Sequence, residues 1–141
     1  MMAPANVNER YPPVTMNQVP DDRELLSIER VNALIVGANA TTNAVVAALR
    51  PSLADPVCTV RVGEPLPPPG QGGSLVLLEV CDFTPGEQLR LLDWLDENAG
   101  GTRIVSTSSR SLTDMIATGE FLAMLYYRLN LVYIDMTAVA S

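Results

Sequence analysis

A glycine turn between a buried strand and a helix is the first place where this sequence could bind a charged ligand. Residues 33–36 form a continuous apolar run that ends at Gly37, and a helical pattern begins at about residue 41. In such a turn, backbone N–H groups at the start of the helix bind phosphate. The candidate cofactor-binding residues of this turn are Gly37, Thr41, Thr42 and Asn43.

The same turn departs from a working phosphate loop at three positions. Such a loop needs a second glycine, then a lysine, then a hydroxyl, and here Thr42, Asn43 and Ala44 stand in their places. A β-branched residue disfavours positive φ, and a neutral amide cannot make the charge-assisted contact of a lysine. The helix N-terminus retains a weak attraction for anions. We therefore expect no efficient chemistry on a nucleotide.

Composition excludes several other kinds of site. The chain has 141 residues, 48% of them apolar, which suits one domain with a buried core. It has no histidine, and Cys58 and Cys81 lack metal-ligand spacing, so we expect no metal site and two cysteines that serve as small apolar residues on strands. Nine basic against 16 acidic residues disfavour direct nucleic-acid binding.

Neither a signal peptide nor an apolar run long enough to span a bilayer is evident. We therefore expect a cytoplasmic protein with no membrane contact. Residues 1–20 carry four prolines among polar residues, which predicts a flexible tail, and residues 21–141 are expected to form one domain.

Alternating patterns of strand and helix predict a parallel α/β sheet with helices on both faces. The expected strands are residues 33–36, 58–62, 75–80, 104–107 and 131–134. The expected helices are residues 21–30, 41–49, 84–98, 109–118 and 121–129, with Ser109 or Ser111 capping the fourth. In the third helix, Thr84 and Glu87 have the spacing of a capping box, and Leu91, Leu92 and Leu95 are expected to be buried.

Two segments carry a resemblance to a known family. Residues 72–79 read Gly-Gly-Ser-Leu-Val-Leu-Leu-Glu, and residues 120–130 read Glu-Phe-Leu-Ala-Met-Leu-Tyr-Tyr-Arg-Leu-Asn. They resemble the second half of the central AAA+ ATPase domain of bacterial sigma-54-dependent transcription activators. The resemblance implies a three-layer α/β/α, P-loop NTPase-like core of about five parallel strands in the order 5-1-4-3-2. The helical lid that follows in the family has no counterpart in the expected elements.

The resemblance also assigns roles to single positions. Leu78 stands where the family has a magnesium-binding aspartate, and Glu79 matches the glutamate that orients the attacking water. Ser109 stands at the position of a sensor asparagine, although it also suits a simple helix cap. Of the family's two arginine fingers, which reach into a neighbouring subunit, Leu122 replaces the first and Arg128 matches the second.

Loss of the phosphate-loop lysine and the magnesium aspartate, at Asn43 and Leu78, implies that the protein is not an ATPase. The first hypothesis is therefore a pseudo-ATPase without a cofactor, which regulates transcription or signalling through protein contacts. Its partner surface would be Tyr126, Tyr127 and Arg128, and its partner an active AAA+ activator or a second copy. The same three residues also suit simple packing between the last helix and the last strand.

Two alternatives remain open at this stage. One is a residual nucleotide-binding switch without efficient hydrolysis, in which ATP and magnesium are implied by the resemblance alone. The other is a signal-receiving domain, disfavoured because Leu78 and Glu79 occupy the strand end where a phosphorylatable aspartate should be. The family's sigma-54-contacting motif is absent between residues 43 and 72, so direct remodelling of the sigma-54 polymerase is not expected.

Overall fold

The computed structural model describes residues 14–15, 32–98, 101–130 and 132–137. Its strands are β1 (Val14–Thr15), β2 (Ala33–Val36), β3 (Val57–Val60), β4 (Ser74–Leu77), β5 (Arg103–Ser108) and β6 (Val132–Asp135). Its helices are α1 (Asn39–Leu49), α2 (Pro85–Asn98), α3 (Leu112–Ala117) and α4 (Ala123–Leu129), with 3-10 turns at Arg50–Ser52 and Val80–Asp82. The helix predicted over residues 21–30 lies outside the described residues.

The strands form one sheet in the order β1-β6-β2-β5-β4-β3, and each adjacent pair is parallel. Without β1 this is the predicted five-strand order, which is confirmed. β1 is an addition, since Val14 and Thr15 pair with Ile134 and Asp135 at the edge of the sheet. This strand lies within residues 1–20, which were predicted to form a flexible tail, and two residues are too few for a periodic pattern to indicate a strand.

The two faces of the sheet bury separate apolar clusters, because successive strand side chains point in opposite directions. On one face, Ala33 and Ile35 of β2 pack with the buried side chains of α1. On the other, Leu34 of β2 packs in a cluster that also holds residues of α2, α3 and α4. The predicted three-layer arrangement is thus confirmed.

Local signals placed α2 correctly. The backbone N–H of Thr84 donates to Glu87 Oε1 at 2.9 Å, and the N–H of Glu87 donates to Thr84 Oγ1 at 3.2 Å, which completes the predicted capping box. Leu91 and Leu95 are buried as expected, whereas Leu92 is only half-buried. Trp94 is buried as well, and its indole N–H donates to the carbonyl of Pro67 at 2.7 Å, which ties the loop after β3 to this helix.

Two local predictions need correction, and one open alternative is decided. The third predicted strand ends at Leu77 and not Val80, because Glu79 adopts a left-handed backbone (φ 55°) that interrupts extended structure. Cys81 consequently lies in a 3-10 turn, although Cys58 does lie on β3. The cap of α3 is Ser111, whose Oγ accepts from the N–H of Asp114 at 3.3 Å, and not Ser109.

Candidate functional site

The turn between β2 and α1 is shorter than the sequence predicted. Helix α1 begins at Asn39, so only Gly37 and Ala38 separate it from the strand. The carbonyl of Ala38 accepts the N–H groups of Thr41 and Thr42, each at 2.9 Å, while Gly37 donates to Ser108 O at 3.0 Å. The Thr42 bond is the ordinary first bond of the helix, so the N–H groups of Gly37 and Thr41 are the two that the chain itself withdraws from a contact with phosphate.

Gly37 is required for close packing at this point. A Cβ at this residue would lie 2.9 Å from Met136 Cβ and 3.2 Å from Met136 O. Met136 is fully buried, and its N–H donates to the carbonyl of Val36 at 2.7 Å. The glycine thus allows the chain after β6 to cross the end of β2, without a positive φ.

The other candidate residues of this turn point to different places. Thr41 and Thr42 are 6% and 1% exposed, and the Thr42 hydroxyl donates to Asn39 O at 3.2 Å. Asn43 is exposed and lies inside α1. A phosphate loop has its lysine at the start of the helix, which Asn43 does not occupy. The four predicted cofactor-binding residues therefore do not converge on one open site.

At the carboxyl edge of the sheet, the structure brings Glu79 and Ser109 together. Glu79 Oε1 accepts the backbone N–H of Ser109 at 2.7 Å, and the Cys81 thiol donates to the same oxygen at 3.4 Å. The N–H of Glu79 donates to Thr107 Oγ1 at 3.0 Å. The carboxylate therefore links the ends of β4 and β5. Leu78, the preceding residue, is buried in the apolar cluster on the α1 face.

Arg128 lies at the opposite edge of the sheet. It lines a cleft of about 250 Å³ together with Asn32, just before β2, and Ile104, near the start of β5. Its guanidinium forms an ion pair of 2.5 Å with Asp96 of α2, and the two side chains are 42% and 63% exposed. Arg128 therefore does not join Glu79 and Ser109 within this chain.

The two adjacent tyrosines have different environments. Tyr126 is 2% exposed and belongs to the core, whereas Tyr127 is 43% exposed. Their rings meet edge to face, with centroids 5.4 Å apart. Tyr126 is therefore not part of the predicted partner surface, because residues next to each other on a helix point in different directions.

Met124, whose exposure was not predicted, is 70% exposed on the same helix. Its spacing of three and four residues from Tyr127 and Arg128 places the three side chains together, and that spacing was available in the sequence. We call Met124, Tyr127 and Arg128 the α4 surface.

Arg110 and Glu120 form a second exposed ion pair, with a separation of 3.5 Å. A hydrogen bond from the Thr118 hydroxyl, supported by the charge of Arg110, lowers the pKa of Glu120 below its ordinary value. Arg110 follows the candidate sensor position, and this pair holds the segment before α4 close to the start of α3. The ion pair with Glu120 thus accounts for the position of Arg110.

Two further findings concern the described residues alone. Within them, no group of three or more His, Cys, Asp and Glu side chains is arranged to hold a metal ion. In the same part of the chain, no helix is long and apolar enough to cross a membrane.

Comparison with known proteins identifies the family. A profile described as the sigma-54 interaction domain matches residues 25–139. The chain belongs to the sigma-54 interaction domain family. Together with the sheet order, this confirms the predicted relation to the central AAA+ domain of sigma-54-dependent activators.

Curated relatives of this sigma-54 interaction domain are transcriptional regulators. The transcriptional regulatory protein ZraR of Klebsiella oxytoca is 36% identical over 76 residues, which cover 46% of this chain and 17% of the relative. The Nif-specific regulatory protein of Herbaspirillum seropedicae is 39% identical over 74 residues, covering 45% and 14%. The match thus spans less than a fifth of the length of either relative.

Solved structures agree with the fold of this domain. NtrX from Brucella abortus, crystallised in complex with ATP, is 25% identical with a TM-score of 0.62, over 84% of this chain and 36% of NtrX. The P-loop NTPase domain of a sigma-54 activator from E. coli is 22% identical with a TM-score of 0.51, over 79% of this chain and 93% of that domain.

Proposed function

We propose that this sigma-54 interaction domain is a cytoplasmic pseudo-ATPase that regulates transcription through protein contacts and not through ATP hydrolysis. The observation that carries the proposal is the short turn between β2 and α1, in which Gly37 and Ala38 alone separate the strand from the helix. There the N–H groups of Gly37 and Thr41 are bonded to carbonyls of the chain itself. Membership of the family supports the regulatory part of the proposal.

The charges needed for phosphoryl transfer are also missing at the corresponding positions of this chain. Enzymes of this class use a lysine and a bound magnesium ion to neutralise the phosphates. Here the corresponding residues are exposed Asn43 and buried Leu78, and neither carries a charge. Glu79, the remaining acidic residue, accepts the N–H of Ser109 through one carboxylate oxygen. It stands without the lysine and the magnesium-binding aspartate that hold the phosphates in this class of enzyme.

The α4 surface is the proposed contact with a partner. It combines two exposed apolar side chains, Met124 and Tyr127, with the guanidinium of Arg128. An exposed ion pair contributes only about 0–1 kcal/mol, so Arg128 can exchange Asp96 for an anionic group of a partner at little cost. The proposed partner is an active AAA+ activator or a second copy of this chain.

Calorimetric titration and thermal melting with ATP, ADP and magnesium test the nucleotide part of the proposal. NtrX from Brucella abortus, which was crystallised with ATP, is the positive control. We expect no heat of binding, no rise in Tm and no phosphate release. A ligand at about 100 times its Kd would add about 2.7 kcal/mol of stability, which melting detects readily.

A saturable rise in Tm with the wild-type chain would contradict the proposal and favour the nucleotide-binding switch. The variant Asn43→Ala then locates the ligand. Loss of the shift would place the nucleotide at the turn between β2 and α1, and an unchanged shift would place it elsewhere.

Affinity purification of the tagged chain from its native cells tests the partner. The wild type and Arg61→Ala, which changes an exposed arginine outside α4, should retain an AAA+ protein, and Arg128→Ala should lose it. Equal recovery with all three forms would make Arg128 a packing residue.

A further inference from the structure

A second concave surface lies between α2 and the loop that follows β3. Its volume is about 410 Å³, which falls in the range typical of ligand sites. The buried side chains of Val60, Phe83 and Leu91 form its floor, and half-buried Leu66 lies beside them. We call this surface the α2 cleft, and it shares no residue with the α4 surface.

The rim of the α2 cleft carries a net negative charge. Glu64, Glu87 and Arg90 contribute two carboxylates and one guanidinium. Glu87 Oε1 and Oε2 accept the N–H groups of Thr84 and Gly63, and the bond from Thr84 is the main cause that lowers the pKa of Glu87. Each carboxylate can accept about four hydrogen bonds, so both Glu87 and Glu64 retain capacity for a cationic ligand.

The cleft adjoins the outer edge of the sheet. The carbonyls of Pro56 and Val60 accept N–H groups from β4 at 2.9 and 3.0 Å, so these alternate residues face β4. In a parallel pair the residues between them, Val57 and Thr59, direct their backbone groups away from β4. Within the described residues, β3 pairs with β4 alone.

The edge of β3 that faces away from β4 ends where the cleft begins. The next outward N–H, that of Arg61, donates to Glu64 Oε1 at 2.7 Å. Val60 closes β3 and also lies in the floor of the cleft. A strand added beside β3 would therefore place alternate side chains over an apolar pocket with an acidic rim.

We propose that β3 and the α2 cleft bind an extended peptide segment of a partner, in which an apolar and a basic residue stand two positions apart and so face the cleft together. Backbone bonds to a sheet edge supply affinity, and a pocket for alternate side chains supplies specificity. The net charge of −7 on the chain adds to the preference for a basic segment. This interaction is independent of the proposed contact at α4.

The probe is a short capped peptide in which valine and lysine stand two positions apart with threonine between them, and its control has glutamate in place of lysine. Both are titrated into the full isotope-labelled chain and followed through the backbone amides by NMR. We expect the lysine peptide to bind with a Kd of about 0.1 mM, and the glutamate peptide to bind at least about 10-fold more weakly. The largest shifts should fall on Val57, Thr59 and Gly63.

Two matched pairs of variants separate the pocket from the charge. Leu66→Ala, in the cleft, should weaken binding about 10-fold, whereas Leu89→Ala, exposed on α2 outside it, should leave the Kd unchanged. Glu64→Gln should weaken the lysine peptide about 3-fold and reduce its salt dependence, and Glu97→Gln should do neither. Melting curves of each variant serve to check that it is folded.

Several outcomes would overturn the inference. One is the absence of binding at about 1 mM lysine peptide, and another is equal affinity for the two peptides. Chemical-shift changes confined to α4 would show that the peptide binds at that helix and not at β3. Nuclear Overhauser contacts between the amide of Thr59 and residues 1–13 in the peptide-free chain would show that the protein covers this edge itself, with no external partner.

Discussion

The carboxylate of Glu79 accepts the backbone N–H of Ser109 at 2.7 Å, and so connects the ends of β4 and β5. The family resemblance assigns both positions to ATP chemistry. In this chain they bond directly to each other, and Glu79 holds a left-handed backbone (φ 55°) while doing so. Substitutions at Glu79 can separate the structural role of this bond from the strain of the left-handed backbone.

Glu79→Ala should lower the free energy of unfolding by about 1–2 kcal/mol, because the Ser109 N–H loses its acceptor. Glu79→Gly loses the same bond but relieves the left-handed backbone, so it should be more stable than Glu79→Ala by about 0.5–1 kcal/mol. Urea denaturation measures both differences. An alanine variant as stable as wild type would show that the bond has no structural role.

Gly37→Ala should destabilise the fold by about 1–3 kcal/mol, because the added methyl group meets Met136 at 2.9 Å. Gly86→Ala is the matched control on α2, where a Cβ finds its nearest heavy atom at 3.7 Å, and it should stabilise by up to about 1 kcal/mol. Thermal melting should therefore give shifts of opposite sign. A neutral Gly37→Ala would mean that the chain after β6 does not cross β2 closely.

The two tyrosines of α4 should respond differently to truncation. Tyr126→Ala empties a core position and should cost about 3–5 kcal/mol, whereas Tyr127→Ala should cost less than about 1 kcal/mol. Partner recovery in the affinity experiment should fall with Tyr127→Ala although Tm is retained. Recovery equal to wild type would remove Tyr127 from the α4 contact.

The hydrogen bonds of Glu87 predict that the stability of the folded protein changes with pH in the acid range. Hydrogen bonds to its carboxylate, first among them the one from the Thr84 N–H, hold its pKa below the ordinary value of 4.5. A carboxylate with a lowered pKa in the folded state stabilises the protein above its unfolded pKa, and this stability is lost as pH falls through the folded value.

Glu87→Gln should therefore lower Tm at neutral pH, and the two melting curves should converge as pH falls below 4.5. Glu97→Gln, on the exposed side of the same helix, is the matched control for the removal of one carboxylate. A Tm difference between wild type and Glu87→Gln that stays constant across the acid range would contradict the linkage.

The features that the sequence predicted are those with local or family signals. The capping box of Thr84 and Glu87 spans four residues, and the strand order came with the family resemblance. The contact of Gly37 with Met136 joins distant parts of the chain, so no local pattern indicated it. The left-handed backbone of Glu79 escaped prediction because L-residues rarely adopt it. Tyr126 and Tyr127 are identical in type, and only the orientation of α4 distinguishes them.

Trp94 is the single tryptophan of the chain, and its indole N–H holds the Pro67 carbonyl at 2.7 Å. The ring is 5% exposed, and Leu91, one helical turn earlier on the same helix, lies in the floor of the α2 cleft. The protein therefore contains its own fluorescent reporter. Detachment of the loop after β3 would hydrate the indole and shift its emission to the red, while seating of a ligand against an intact loop would leave the wavelength unchanged.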